Sequence, residues 1–202
     1  IPVALSKAAW IIIIMIYIFF ASTMPVQRLL QPRDYINALE LGVAMILLIV
    51  GIIIRPLPIV APAVVSSPAG APSMFPFLFI TIACGAISGF HSLVSSGTSS
   101  KQIDKEPSAL AVGYGGMLLE AALATLVIIA VTTGVSKEAW LTTYANYAKV
   151  PTLPTFAEGG ARIVETLGIS RAMALNILAV FMVSFASTTI DTATRLQRYV
   201  IS

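Results

Sequence analysis

The sequence has few charged residues and almost no cysteine or histidine. Of its 202 residues, 10% are charged and 57% are hydrophobic, and the mean hydropathy is +0.92. A soluble domain usually has about 25% charged residues, so lipid is the expected solvent for most of this surface. The net charge is only +3, without a basic run or an RNA-binding aromatic motif. These features give no support for a nucleic-acid partner.

The single cysteine, Cys84, and the single histidine, His91, exclude a disulfide within the chain and a site built from several Cys or His ligands. Hydrolase, zinc-protease, Walker A and dinucleotide motifs are absent as well. We therefore predict that the chain is not an enzyme and holds no metal or cofactor. An intramembrane hydrolase built from His91 and a nearby serine is the weakest alternative.

Five apolar segments approach the ~20 residues that cross about 30 Å of hydrocarbon. They cover residues 8–24, 36–54, 75–98, 109–133 and 172–190. A polar link after Pro25 separates the first two, and an amphipathic region, 134–170, precedes the last. The prediction is an all-α polytopic membrane protein with about five transmembrane helices in a single membrane domain over residues 1–202. Lys and Arg outside these segments divide six and six, so charge does not orient the chain.

The third segment carries the strongest functional signal. Its small and polar residues are separated by threes and fours, so on one continuous helix they form a single stripe. The stripe consists of Gly85, Ser88, Gly89, Ser92, Ser95, Ser96 and Ser99. In lipid, such a stripe either lets a neighbouring helix approach closely or supplies hydroxyls to a polar cavity. His91 lies beside it, and histidine is a side chain suited to proton coupling.

Glu120 lies well inside the fourth segment, where a carboxylate must face a partner or a cavity. Gly113, Gly116 and Ala124 share its helix face. Our hypothesis is that this face packs against the stripe and brings Glu120 towards His91. Glu120 is then the leading candidate for the carrier of a coupling proton. We predict that the path for substrate or coupling ion is lined by Gly85, Ser88, Gly89, His91, Ser92, Ser95, Ser96 and Glu120.

The fifth segment ends in a polar cluster. Ser187 and Thr188 form a possible site for a small cation such as Na⁺, with hydrogen bonding between helices as the alternative. Asp191 and Arg195 are four residues apart, which predicts an ion pair at the membrane edge. Together with Thr194 they would stabilise the helix end or gate the path. Arg195, like Arg33 in the polar link, could receive a substrate carboxylate.

Four stretches resemble the carbon starvation protein A family. They are LLQPRDYIN (29–37), GAISGFHSLVSSGTSSKQ (85–102), VGYGGMLLEA (112–121) and DTATRLQRY (191–199). The resemblance implies the central portion of a multi-pass inner-membrane protein. It also implies ion-coupled uptake, by H⁺ or Na⁺, of peptides or small carboxylates such as pyruvate. The implied partners are the substrate, the bilayer and the remaining spans of a longer protein.

The family is grouped loosely with transporters of the amino acid–polyamine–organocation type, which contain inverted repeats and broken helices. That architecture implies a break in the third segment near residues 85–89, whereas the continuous spacing of the stripe favours an unbroken helix. Two other functions fit the same residues. One is a channel or a non-transporting membrane subunit, and the other is a nutrient sensor.

Overall fold

The computed structural model describes residues 6–65, 69–87 and 89–201. Within these ranges the chain is helical, with two short 3-10 turns and no strand. The α-helices are α1 (Lys7–Thr23), α2 (Val26–Ile54), α3 (Met74–Ala86), α4 (Gly89–Gly97), α5 (Ser108–Thr133), α6 (Lys137–Thr143), α7 (Thr152–Glu165) and α8 (Arg171–Ile201). The all-α prediction is confirmed for the part of the chain that is described.

Among the residues that the structure describes, three helices are long and apolar enough to cross a membrane. The qualifying stretches are Arg28–Ile54 in α2, Ser108–Thr133 in α5 and Arg171–Arg198 in α8. The first and third predicted spans correspond to shorter apolar helices, Lys7–Thr23 and Met74–Ala83. The described residues therefore support three spans by length, and the predicted count of five is not reached.

The polar link predicted after the first segment is instead the start of α2. Helix α1 ends at Thr23, and α2 begins at Val26 and continues through Pro32. Proline removes one backbone hydrogen bond from a helix, so its position favoured a link. The prediction failed because Arg33, a charged residue of this stretch, has partners on two other helices.

The third predicted span is broken. Helix α3 ends at Ala86, Ile87 has φ −134° and ψ 39°, and α4 begins at Gly89. Ser88, a predicted site residue, lies outside the described residues. The structure thus favours the broken alternative, and the stripe predicted for one helix is divided between two.

The chain divides into two compact units. The first comprises Ile1–Leu41 and Phe181–Ser202, and the second comprises Gly42–Val180. In the second unit α7 is buried on one side, where its glycines allow close packing. A Cβ added to Gly159 would collide with the carbonyl of Ala130 in α5, and one added to Gly160 would lie 2.7 Å from Leu178 Cδ1 in α8. The predicted amphipathic loop region therefore contains a core helix.

Candidate functional site

The most buried ionisable side chain of the described residues is Asp191 on α8, which is 1% exposed. Its Oδ2 accepts hydrogen bonds from Arg33 Nη1 on α2 and from the Tyr17 hydroxyl on α1, the latter at 3.0 Å. Arg33 Nη1 also donates to the Tyr17 hydroxyl oxygen. Three helices thus share one ion pair, in which Asp191 is buried and Arg33 is partly buried.

A second set of contacts continues along the same faces of α2 and α8. Asn37 lies one turn beyond Arg33 and is buried; its amide nitrogen donates to Thr188 Oγ1 and its amide oxygen accepts from Ser184 Oγ. Numbering rises along α2 as it falls along α8, so the helices are antiparallel here. Residues three and four apart share a helix face, which explains why these contacts form one row. We call it the polar network: Tyr17, Arg33, Asn37, Ser184, Thr188 and Asp191.

The i,i+4 ion pair predicted between Asp191 and Arg195 does not form. Arg195, only 2% exposed, donates from Nη2 to the carbonyls of Ala21 at 2.9 Å and Met24 at 2.8 Å. These carbonyls belong to the end of α1, where a helix has unsatisfied acceptors and a partial negative charge. The prediction was wrong because the helix end and Arg33 offer better partners than a neighbour on the same helix.

Several buried polar atoms of this first unit lack a hydrogen-bond partner among the described residues. They are Arg33 Nε and Nη2, Asp191 Oδ1, Arg195 Nε and Glu40 Oε2. A buried polar atom without a partner costs about 1–3 kcal/mol. Ionisable groups inside membrane helices generally mark a substrate or ion pathway. The polar network is therefore the candidate functional site.

The other predicted residues of α8 bond to their own helix. Ser187 Oγ donates to the Val183 carbonyl at 2.8 Å, and Thr194 Oγ1 donates to the Ile190 carbonyl at 2.9 Å. Thr188 Oγ1 donates to the Ser184 carbonyl while accepting from Asn37. Thr188 thus makes the hydrogen bond between helices that was the alternative to a cation site. The cation site at Ser187 and Thr188 stays a prediction.

The serines of α4 line an open groove with the start of α5. Its lining includes Ser92, Ser95, Ser96 and Gly113. The side chains of Ser95 and Ser96 donate to the Ser92 carbonyl, at 2.9 and 3.0 Å. The structure therefore brings the serines of α4 next to Gly113 of α5.

The remaining predicted path residues lie on open surfaces. His91 and Glu120 are both exposed, and a Cβ added to Gly85, Gly89 or Gly116 would meet nothing within 4 Å. No hydrogen bond or ion pair joins His91 to Glu120 among the described residues. Their roles stay predictions. Across the same residues, no group of three His, Cys, Asp or Glu side chains is placed to hold a metal.

Sequence reasoning did not place Tyr17 at a site. It placed Arg33 in a polar link and named it, with Arg195, as a residue that could receive a substrate carboxylate. One signal was available in the sequence. Arg33 and Asn37 are four apart, and Ser184, Thr188 and Asp191 repeat the same helical spacing on another apolar segment. Two matching polar faces on apolar helices indicate a shared interface.

The quoted motifs and the apolar helices agree with a family comparison. The family model for Carbon starvation protein CstA matches residues 2–142. The chain belongs to this family. The match includes the Arg33 stretch of α2 and the whole of α3, α4 and α5.

Three curated relatives illustrate the likeness. The peptide transporter CstA of Helicobacter pylori is 47% identical over 129 residues, which are 61% of this chain and 18% of the relative. The pyruvate/proton symporter BtsT of Escherichia coli is 42% identical over 120 residues, 56% of this chain and 17% of the relative. The peptide transporter CstA of Bacillus subtilis is 33% identical over 219 aligned positions, 92% of this chain and 36% of the relative.

The chain thus spans from less than a fifth to about a third of the length of these relatives. No solved structure matches it.

Proposed function

We propose that this chain is part of a secondary active transporter that takes up peptides or small carboxylates such as pyruvate, driven by an ion gradient. The observation that carries the proposal is the pairing of the partly buried Arg33 with the buried Asp191 on helices apolar enough to cross a membrane. Such a pair is costly in a membrane and is kept mainly where it serves transport. The names of the relatives, a peptide transporter and a pyruvate/proton symporter, supply the substrate class.

The break between α3 and α4 supports the finer part of the proposal, an inverted-repeat bundle with discontinuous helices. In such transporters, half-helix ends face the substrate near the middle of the membrane. Helix α4 begins two residues after Ile87 and carries His91, Ser92, Ser95 and Ser96. In the proposal these side chains line the path for substrate or coupling ion.

Glu120 is the proposed carrier of a coupling proton. Its side chain is exposed near the middle of α5, where contact with hydrocarbon would cost about 2.5–3.5 kcal/mol on insertion scales. We therefore propose that a span of the full-length protein outside this chain covers this face. The same span would lie in the cell inner membrane together with α2, α5 and α8.

Uptake into proteoliposomes tests the proposed function. The full-length protein is reconstituted and given labelled pyruvate, dialanine or trialanine under a proton gradient or a sodium gradient, applied separately. A carrier accumulates one of these substrates above the external concentration, and an uncoupler abolishes the accumulation if protons drive it. Sodium dependence without proton dependence would assign Na⁺ as the coupling ion.

Two results would contradict the proposal. Equilibration without accumulation under either gradient indicates a channel. If the liposomes neither accumulate nor equilibrate any of the three compounds, the protein is not a transporter for this substrate class, and a sensor or a non-transporting subunit becomes the better interpretation.

A further inference from the structure

We infer that Arg33 binds the carboxylate of the transported substrate through its Nε and Nη2 atoms. The inference rests on the proposed function and names the substrate group that the protein recognises. It assigns to Arg33 a binding role, and to Asp191 and Tyr17 the role of holding the guanidinium in place.

The argument begins with how the Arg33 guanidinium is used. Its Nη1 atom makes every hydrogen bond that the structure gives it, to Asp191 Oδ2 and to the Tyr17 hydroxyl. Its Nε and Nη2 atoms are buried and have no partner among the described residues. These two nitrogens form one edge of the planar group, and their parallel N–H bonds match the two oxygens of a carboxylate.

The holding contacts orient this edge. Asp191 is 1% exposed, and Tyr17 reaches the same Arg33 nitrogen from α1. Two partners on one nitrogen from two different helices fix both the position and the plane of the guanidinium. A donor pair held in advance loses little entropy on binding, which suits recognition of a small anion.

The charges around Arg33 also favour an anion. Arg33 and Arg195 both carry a positive charge in the first unit, and Asp191 is the fully buried carboxylate among its described residues. The carbonyls at the end of α1 offset part of the charge of Arg195. Asp34 is exposed but interacts electrostatically with Arg33 and Asp191, and Glu40 lies two turns along α2 from Arg33. A substrate carboxylate at the open edge of Arg33 would give the guanidinium a second counter-charge beside Asp191.

Arg195 was the other candidate at the sequence level, and the contacts argue against it. Its Nη2 is already shared between two carbonyls of α1, so it has no open edge with both Nε and Nη2 unpaired. Arg195 therefore stabilises the end of α1. Arg33 alone of the two retains the bidentate geometry.

The substrate class fits this edge. Peptides with a free C-terminus and pyruvate differ in size and backbone, but each carries a carboxylate that is ionised at neutral pH. One arginine edge can therefore serve relatives named for either compound.

In this structure neighbouring atoms cover the edge, so the helices must separate locally to admit a substrate. The unpaired donors favour such opening, because a carboxylate or water would satisfy them.

Competition by matched acids and amides is the experiment. The full-length protein in proteoliposomes takes up labelled dialanine or pyruvate, whichever the wild type accumulates. Unlabelled competitors are the acid itself and its amide, dialaninamide or pyruvamide, which lacks the carboxylate. We expect the amide to compete at least about tenfold more weakly than the acid, since hydrogen bonds to charged groups are worth about one to two orders of magnitude in affinity.

The substitution Arg33→Lys keeps the charge and removes the bidentate edge. We expect it to raise the half-saturating concentration of the acid by about tenfold to a hundredfold. The difference in competing strength between the acid and its amide should also become smaller. Arg55→Lys is the matched control, because Arg55 is exposed at the end of α2 and contributes nothing to the polar network. It should match the wild type in both measurements.

Equal competition by acid and amide in the wild type would overturn the inference, even if uptake itself confirms a transporter. The same holds if Arg33→Lys and Arg55→Lys give the same half-saturating concentration. If the wild type accumulates neither substrate, the proposed function fails. Thermal unfolding in detergent with dialanine, pyruvate and their amides then decides the inference separately, because stabilisation by an acid and not by its amide requires a carboxylate site.

Discussion

The polar side chains of the network and those of the serine tract of α4 find their hydrogen-bond partners in different places. In the network, Asn37 bonds across to Ser184 and Thr188, and Asp191 bonds across to Arg33 and Tyr17. In the tract, the serine hydroxyls donate to carbonyls of their own helix. The serines of the tract have the more regular spacing, but only the residues of the network bond to other helices. Regular spacing identifies residues that share a face, and only a second helix determines whether that face is used.

The largest effect on stability should come from Asp191→Ala. It leaves the guanidinium of Arg33 buried without its counter-charge, and breaking one side of a buried ion pair costs about 3–5 kcal/mol. The free energy of unfolding of the full-length protein in mixed micelles measures the loss. Asp104→Ala, which removes an exposed carboxylate, is the control and should change stability by less than about 0.5 kcal/mol. Similar losses for both variants would mean that the network contributes no more than the surface does.

A smaller loss is expected from Gly159→Ala in the second unit. The new Cβ would collide with the Ala130 carbonyl, so α5 and α7 must move apart, and overpacking of this kind costs about 1–3 kcal/mol. Gly116→Ala on the open face of α5 is the matched control, because nothing lies within 4 Å of its Cβ position. Alanine favours a helix over glycine by up to about 1 kcal/mol, so the control should be neutral or stabilising. Chemical unfolding monitored by circular dichroism compares the two, and an equal loss in both would show that the Gly159 contact is not tight.

Removing one polar side chain from the network and one from the tract compares directly how much each contributes to stability. Asn37→Ala leaves Ser184 and Thr188 without their partner across the interface, which should cost about 1–2 kcal/mol. Ser95→Ala removes an exposed hydroxyl that bonds only within α4, and should cost less than about 0.5 kcal/mol. Midpoints of thermal unfolding in detergent separate them. If Ser95→Ala is the more damaging change, the tract and not the network carries the interhelical bonds.

Glu120→Gln should have the smallest effect on the fold and a large effect on transport. Its side chain is exposed in the described structure and keeps its size, so stability should stay within about 0.5 kcal/mol of the wild type. Proton-driven accumulation in proteoliposomes should be lost or uncoupled. Glu138→Gln, in the short helix α6, is the control and should transport normally. Wild-type accumulation by Glu120→Gln would refute its role as the proton carrier.

Much of the helical framework is predictable from hydropathy alone. The segments predicted at 36–54, 109–133 and 172–190 all lie within helices, because long apolar runs have few alternatives in lipid. Where a helix begins or ends near polar residues cannot be predicted from hydropathy. Helix α2 starts ten residues before the predicted segment, at Val26, and α8 continues past Asp191 to Ile201. Charged residues suggested the ends of these helices, but tertiary partners let the helices continue.

The site was less accessible to sequence reasoning than the fold. Residues 17, 33 and 191 come from three helices and share no motif, so only their packing reveals the contact. The spacing of the residues on both sides favoured an unbroken helix, and only the resemblance to transporters with broken helices implied the break near Ile87. Family resemblance, in contrast, was strong at the sequence level, since it depends on short exact stretches and not on tertiary contacts.

The central claim is that the polar network serves transport and is not kept for stability. Uptake by the double variant Arg33→Met/Asp191→Leu tests it most directly, since replacing both members of a buried ion pair with apolar residues is often neutral or stabilising. We predict a variant that is at least as stable as the wild type in detergent and that accumulates no substrate in proteoliposomes. A stable double variant that accumulates substrate like the wild type would contradict the claim.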